Sequence, residues 1–191
     1  KSISKNCPDI LFLKNHGLVV GSEDVDHALE LIFLIADKLD KNQSENNFTS
    51  IHEKKLKDLS FNTPYRITKY KKANIIAFKK EYMQIALHGT LFPDQAVFLG
   101  DSIFTVSTKE EILIIYNKFC NSKYLPILIV PDLGILVPKS ISPEAEEMIL
   151  AVKTIISKIP QKVEINFLNK YQVNQLLNWD EENYRLKLNI S

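Results

Sequence analysis

Residues 125–138 read LPILIVPDLGILVP. From Leu125 to Val130 the run is apolar and rich in β-branched residues, with no polar alternation. That composition predicts a strand buried on both faces. Pro131, Asp132, Leu133 and Gly134 are turn residues. Ile135, Leu136 and Val137 then predict a second strand. The rest of the chain alternates short apolar runs with helical periodicity, so the class is α/β or α+β, and α/β is the reading adopted here.

Outward from this pair, Ser142-Pro143-Glu144 is a strong helix start, with a cap, a proline at the first position and an acid. Ala145, Met148, Val152, Ile155, Ile156 and Ile159 form its apolar stripe. Upstream, Thr108-Lys109-Glu110-Glu111 fits a capping box. Ile112, Leu113, Ile115, Tyr116 and Phe119 supply the buried face of that helix. Residues 75–87 predict one helix ending at His88-Gly89. LFPDQAVFLGDSIFTVS, 91–107, predicts short apolar runs with turns at Pro93-Asp94 and Gly100-Asp101. The tail, 171–188, predicts an amphipathic helix.

The N-terminal part is separate in character. Residues 10–20 predict two short strands joined at Asn15-His16-Gly17. A helix follows, with Ser22 as its cap and Glu23 and Asp24 at the positive end of its dipole. Val25, Ala28, Leu29, Ile32, Phe33, Ala36 and Leu39 predict a face packed on a core, and the helix should end near Asp40. Residues 43–74 are polar and charged and read as a linker, with helical turns around 51–59. The expected organisation is therefore 1–42, a linker, and an α/β unit over 75–191.

The totals exclude several classes. The chain has 191 residues, 24 basic and 23 acidic, for a net charge of +1. That balance argues against nucleic acid as a partner. No apolar run reaches the roughly 18 residues needed to cross a bilayer, and no secretory leader is visible. The two cysteines, Cys7 and Cys120, have no activating neighbours and are too few for a disulfide framework. A soluble, reducing, cytoplasmic setting is expected.

For chemistry, His16 stands out because it interrupts two apolar strands. His27, His52 and His88 give neither His-x-His nor His-x-x-x-His spacing, so no self-sufficient zinc site is evident. The whole stretch ILFLKNHGLVVGSEDVDHALELIFLIADKL, however, resembles the end of the class II aldolase/adducin domain. In that family a strand, an Asn-His-Gly step and a second strand lead into a helix with an acidic start. The resemblance implies a zinc ligand at His16, with Asn15 and Gly17 as flanking support. It implies a zinc-dependent aldolase acting on a sugar or sugar phosphate through an enediolate, and a homo-oligomer. The family's His-x-His pair, its catalytic glutamate and its phosphate loops lie upstream of the histidine. Only fifteen residues precede His16, so the chain reads as the C-terminal part of a longer protein. The adducin branch keeps the fold without the metal and uses it for assembly, which is the competing expectation.

The second half is similar to the extension of class II aldolase proteins such as bifunctional rhamnulose-phosphate aldolase/alcohol dehydrogenases. FPDQAVFLG, ILIVPDLGILVP, SPEAEEMILAVKTI and NWDEENYRLKL carry that likeness. No GxGxxG is present, so NAD binding is not expected. Asp132, at a strand end, and Trp179, beside Asp180 and Glu181, are the possible ligand contacts of this half. A third reading treats 75–191 as an accessory sugar-binding or oligomerisation unit.

Overall fold

The structure is a computed structural model that describes residues 9–15, 17–39, 48–160 and 163–178. The chain is α/β and divides into two compact units, Lys1–Gln43 and Ser44–Ser191.

In the first unit, β1 (Ile10–Leu13) pairs antiparallel with β2 (Gly17–Val20), in register from Ile10↔Val20 to Leu13↔Gly17. Helix α1 (Val25–Leu39) follows. Its cap is Asp24 rather than Ser22. The Asp24 carboxylate accepts from the Asp26 N–H at 3.2 Å and the His27 N–H at 3.3 Å, as an N-cap acid should. Ser22 Oγ instead lies 3.0 Å from Nδ1 of the exposed His27. The expected packed face of α1 is a correction as well. No residue of α1 is buried, and Val25 and Phe33 are 75% and 69% exposed. On the hairpin Phe12 is 68% exposed. Two four-residue strands and one helix have too few layers to enclose a core.

The second unit is built on a four-stranded sheet in the order β3-β6-β5-β4. Its strands are β3 (Tyr65–Ile67), β4 (Ile103–Thr105), β5 (Ile127–Val130) and β6 (Gly134–Pro138). The β5–β6 and β3–β6 pairs are antiparallel, and β4–β5 is parallel. The parallel pair is joined through α6 (Lys109–Phe119), because parallel neighbours need a crossover. The apolar run that opened the sequence is continuous because both faces of its strands are covered. Ile127, Ile129, Ile135 and Val137 join the core on one face, with α3 (Ile75–Phe78), α4 (Lys80–His88), α5 (Pro93–Leu99) and α7 (Pro143–Lys158). Leu128, Val130 and Leu136 point the other way, onto Leu56 of α2 (Ser50–Ser60), Tyr65, Val106 and Ile112. Each such fully buried aliphatic side chain contributes about 1.5–3 kcal/mol relative to leaving it exposed.

Three expectations change here. Of the expected linker, residues 48–74 are part of the second unit, since they hold α2, where helical turns were expected, and the edge strand β3. Leu56 and Tyr65 are fully buried, and β3 pairs with β6 from Tyr65↔Pro138 to Ile67↔Leu136. The charged residues Lys54, Lys55, Lys57 and Asp58 are the solvent side of α2. A single helix over 75–87 is likewise replaced by α3 and α4, broken at the extended Lys79. The Ala77 carbonyl, which a continuous helix would give to Glu81, accepts the Asp132 N–H at 2.9 Å instead. Finally, Pro93-Asp94 does not turn the chain but begins α5, with proline in the first turn, where its missing N–H costs nothing. The buried Gln95 side chain accepts the Leu91 N–H at 2.9 Å and secures that start.

The helix starts at Thr108 and Ser142 are as expected, unlike that at Ser22. Thr108 Oγ1 accepts the Glu111 N–H, while Glu111 Oε2 accepts the Ser107 and Thr108 N–H groups. Ser142 Oγ accepts the Ala145 N–H at 3.2 Å. Helix α8 (Lys170–Leu177) covers the start of the expected tail helix, and residues 179–188 lie outside the described residues.

Candidate functional site

The Asn-His-Gly step sits between β1 and β2. Pairing of Leu13 with Gly17 leaves positions 14–16 as the connection. Asn15 has φ 55° and Gly17 has φ 131°. Both values lie in the left-handed region, which asparagine tolerates and glycine occupies freely. His16 itself lies outside the described residues.

The second hairpin repeats this backbone pattern. Val130 pairs with Gly134 across positions 131–133. Asp132 has φ 58° and Gly134 has φ 149°. Each connection has three residues, with Asn or Asp at the middle one and glycine just after. Asn15 and Gly17 are thus the residue types that this turn requires in its own right. The same holds for Asp132. Its side chain is exposed, its N–H is spent on the Ala77 carbonyl, and its place is the turn. Trp179, Asp180, Glu181 and Cys7 lie outside the described residues.

The other histidines have local work. His52 Nδ1 accepts the Thr49 N–H at 3.1 Å at the start of α2, and its ring meets Phe78 edge-on at 4.9 Å. The His88 ring lies 4.5 Å from that of Phe167. Cys120 is exposed, and its thiol donates to the Asn117 carbonyl at 3.4 Å. Among the described residues no three His, Cys, Asp or Glu side chains stand together as a zinc site requires. No step through a metal is derived.

The strongest polar constellation escaped the sequence. Glu146, on α7, is 1% exposed. Its carboxylate accepts from Arg66 Nη1 at 2.9 Å, Arg66 Nη2 at 2.8 Å, Thr68 Oγ1 at 3.1 Å and the Lys69 N–H at 2.6 Å. Burial pushes the carboxyl pKa up. The Arg66 fork, the Lys69 N–H and the Thr68 hydroxyl outweigh that and hold it below the usual value. Arg66 and Glu146 are 80 residues apart, so no spacing rule could pair them. With every carboxylate oxygen engaged, the pair fastens β3 to α7 and leaves no group free for acid–base chemistry.

Several clefts open on the second unit, two of them against α7. One of about 1040 Å³ lies between α4 and the C-terminal end of α7, with Tyr82, His88, Lys79 and Lys80 on its walls. A second, of about 450 Å³, lies between Tyr124 and the start of α7, with Cys120, Ser140 and Glu144 on its walls. Glu144 there is held below the usual carboxylate value by the N–H groups of its own helix start and by the Ser142 hydroxyl. It already supplies the negative charge that this helix end favours.

No helix among the described residues is long and apolar enough to cross a membrane. No protein-family model, curated protein or solved structure matches this chain.

Proposed function

We propose that the chain is the C-terminal part of a zinc-dependent class II aldolase-like protein, which cleaves or forms a carbon–carbon bond of a sugar phosphate. His16 is the residue assigned to the metal. The observation that supports this reading is the order of elements around it. A four-residue strand, a turn holding Asn15-His16-Gly17, a second strand and the acid-capped α1 follow one another as the resembled family's segment does. Asn15 and Gly17 serve by making the turn. The bare apolar side chains of α1 and the hairpin fit a segment that needs further layers to be covered.

The test is made on the full-length protein. Zinc per chain is measured by elemental mass spectrometry, and aldol cleavage is assayed on a ketose 1-phosphate. The expected result is one zinc per chain and cleavage in the wild type, with both lost in His16→Ala. A His16→Ala protein that keeps its zinc and its activity overturns the assignment. A wild type with neither zinc nor cleavage, but which self-associates, moves the reading to the assembly role. The exposed face of α1 is the feature that would serve it.

A further inference from the structure

The larger cleft of the second unit combines two features that point to one kind of ligand. Its floor is apolar, built from Phe78, Tyr82, Ile85, Ile156, Ile159 and Phe167. Its rim is basic. Lys79, Lys80 and His88 line it, and Glu81 is the one carboxylate among the described lining residues. Lys79 Nζ stands 4.8 Å over the centroid of the Tyr82 ring, which holds its charge at the cleft wall.

We propose that this cleft binds an anionic amphiphile in monomeric form, with an acyl chain along the Ile85–Ile159–Ile165 floor and a carboxylate head at Lys79 and Lys80. The charge of the rim selects the sign of the head group. The floor selects the body. A sugar or a nucleobase would need several fixed donors and acceptors. The polar groups here stand on the α4 wall, at Lys79, Lys80, Glu81, Gln84 and His88, while on the α7 side the Ser157 hydroxyl is already given to the Thr154 carbonyl at 2.8 Å. An acyl chain asks only for apolar walls, where each methylene removed from water adds to the affinity. The site belongs to residues 44–191 and does not depend on the role assigned to His16.

The experiment is isothermal titration of the whole chain with dodecanoate below its micellar concentration. Dodecyltrimethylammonium and acetate serve as controls. Methyl NMR of the isoleucines locates the binding. The expected result is saturable binding of one dodecanoate per chain, absent for both controls, with shifts at Ile85, Ile159 and Ile165. Lys79→Glu/Lys80→Glu, two exposed or half-buried positions that leave the core intact, should weaken it by at least about tenfold. Equal binding of the cationic amphiphile, shifts confined to the cleft at Tyr124, or binding only to phosphatidylglycerol vesicles would each overturn the proposal. So would an unchanged affinity in the double variant.

Discussion

Replacing Gly134 by alanine tests the hinge of the second unit, the turn that sets β5 against β6. A Cβ added there would meet Asn74 Oδ1 at 2.5 Å and Leu56 Cδ1 at 2.8 Å, and the residue has φ +149°. Neither neighbour can step aside cheaply. Leu56 is fully buried, and Asn74 Oδ1 accepts the buried Ile135 N–H at 2.7 Å while its amide donates to the Lys71 carbonyl. The backbone conformation costs a non-glycine residue about 1–3 kcal/mol. Pushing Asn74 off Ile135 leaves a buried N–H unpaired, for about another 1–3 kcal/mol. Gly134→Ala should therefore destabilise the unit by about 4 kcal/mol, a loss of roughly 10 °C in Tm for a unit of this size. The assay is urea unfolding followed by far-UV circular dichroism, run as a cycle with Asn74→Ala. In the Asn74→Ala background the clash with the amide is gone, so Gly134→Ala should cost at least about 1 kcal/mol less than in the wild type. A cost of under about 1 kcal/mol for Gly134→Ala alone, or strict additivity in the cycle, would refute the reasoning.

Two further outcomes follow from buried groups. Glu146→Ala leaves the buried Thr68 hydroxyl and the Lys69 N–H without their acceptor, while Arg66, 37% exposed, regains water, and should cost about 1–3 kcal/mol in the same urea assay. The folded carboxyl pKa lies below its ordinary value of 4.5, so its stabilisation is present above that value and is lost as pH falls through the folded pKa. Glu146→Ala should thus flatten the acid limb of the stability curve, and an unchanged limb would count against the pair. The Tyr65 hydroxyl is buried with no hydrogen-bond partner among the described residues, and burial, with Tyr116 adding, pushes its pKa up to about 12. A raised phenol favours the fold below the ordinary value of 10, and that contribution fades as pH rises towards 12. Tyr65→Phe should be neutral or stabilising by about 1 kcal/mol and should remove one late tyrosinate from the ultraviolet titration. A loss of more than about 1 kcal/mol would reveal a partner for the hydroxyl.

What the sequence carried by itself was local. The unbroken run at 127–130 declared a strand covered on both faces, because no residue in it tolerates water. Thr108 and Glu111, or Ser142 and Pro143, declared helix starts, because a cap bonds within three or four residues of itself. Asn15-x-Gly17 and Asp132-x-Gly134 declared turns, because few other residues accept a positive φ. Charge and hydropathy over 43–74 misled for the same reason. A window of a few residues sees the solvent face of α2 and misses that Leu56 and Tyr65 reach the core.

Tertiary structure decided what depends on distant partners. The break at Lys79 exists because Asp132, over fifty residues on, takes the Ala77 carbonyl. Glu146 is a buried anchor because Arg66 is delivered to it by β3. The basic, apolar-floored cleft exists because residues of α4, α7 and 163–167 converge, although KK at 79–80 reads in the sequence as ordinary surface charge. For α1 the sequence declared an apolar stripe, and periodicity can declare no more than that. Whether such a stripe is buried is set by the layers that meet it, and within the first unit a two-stranded hairpin is too small to cover it.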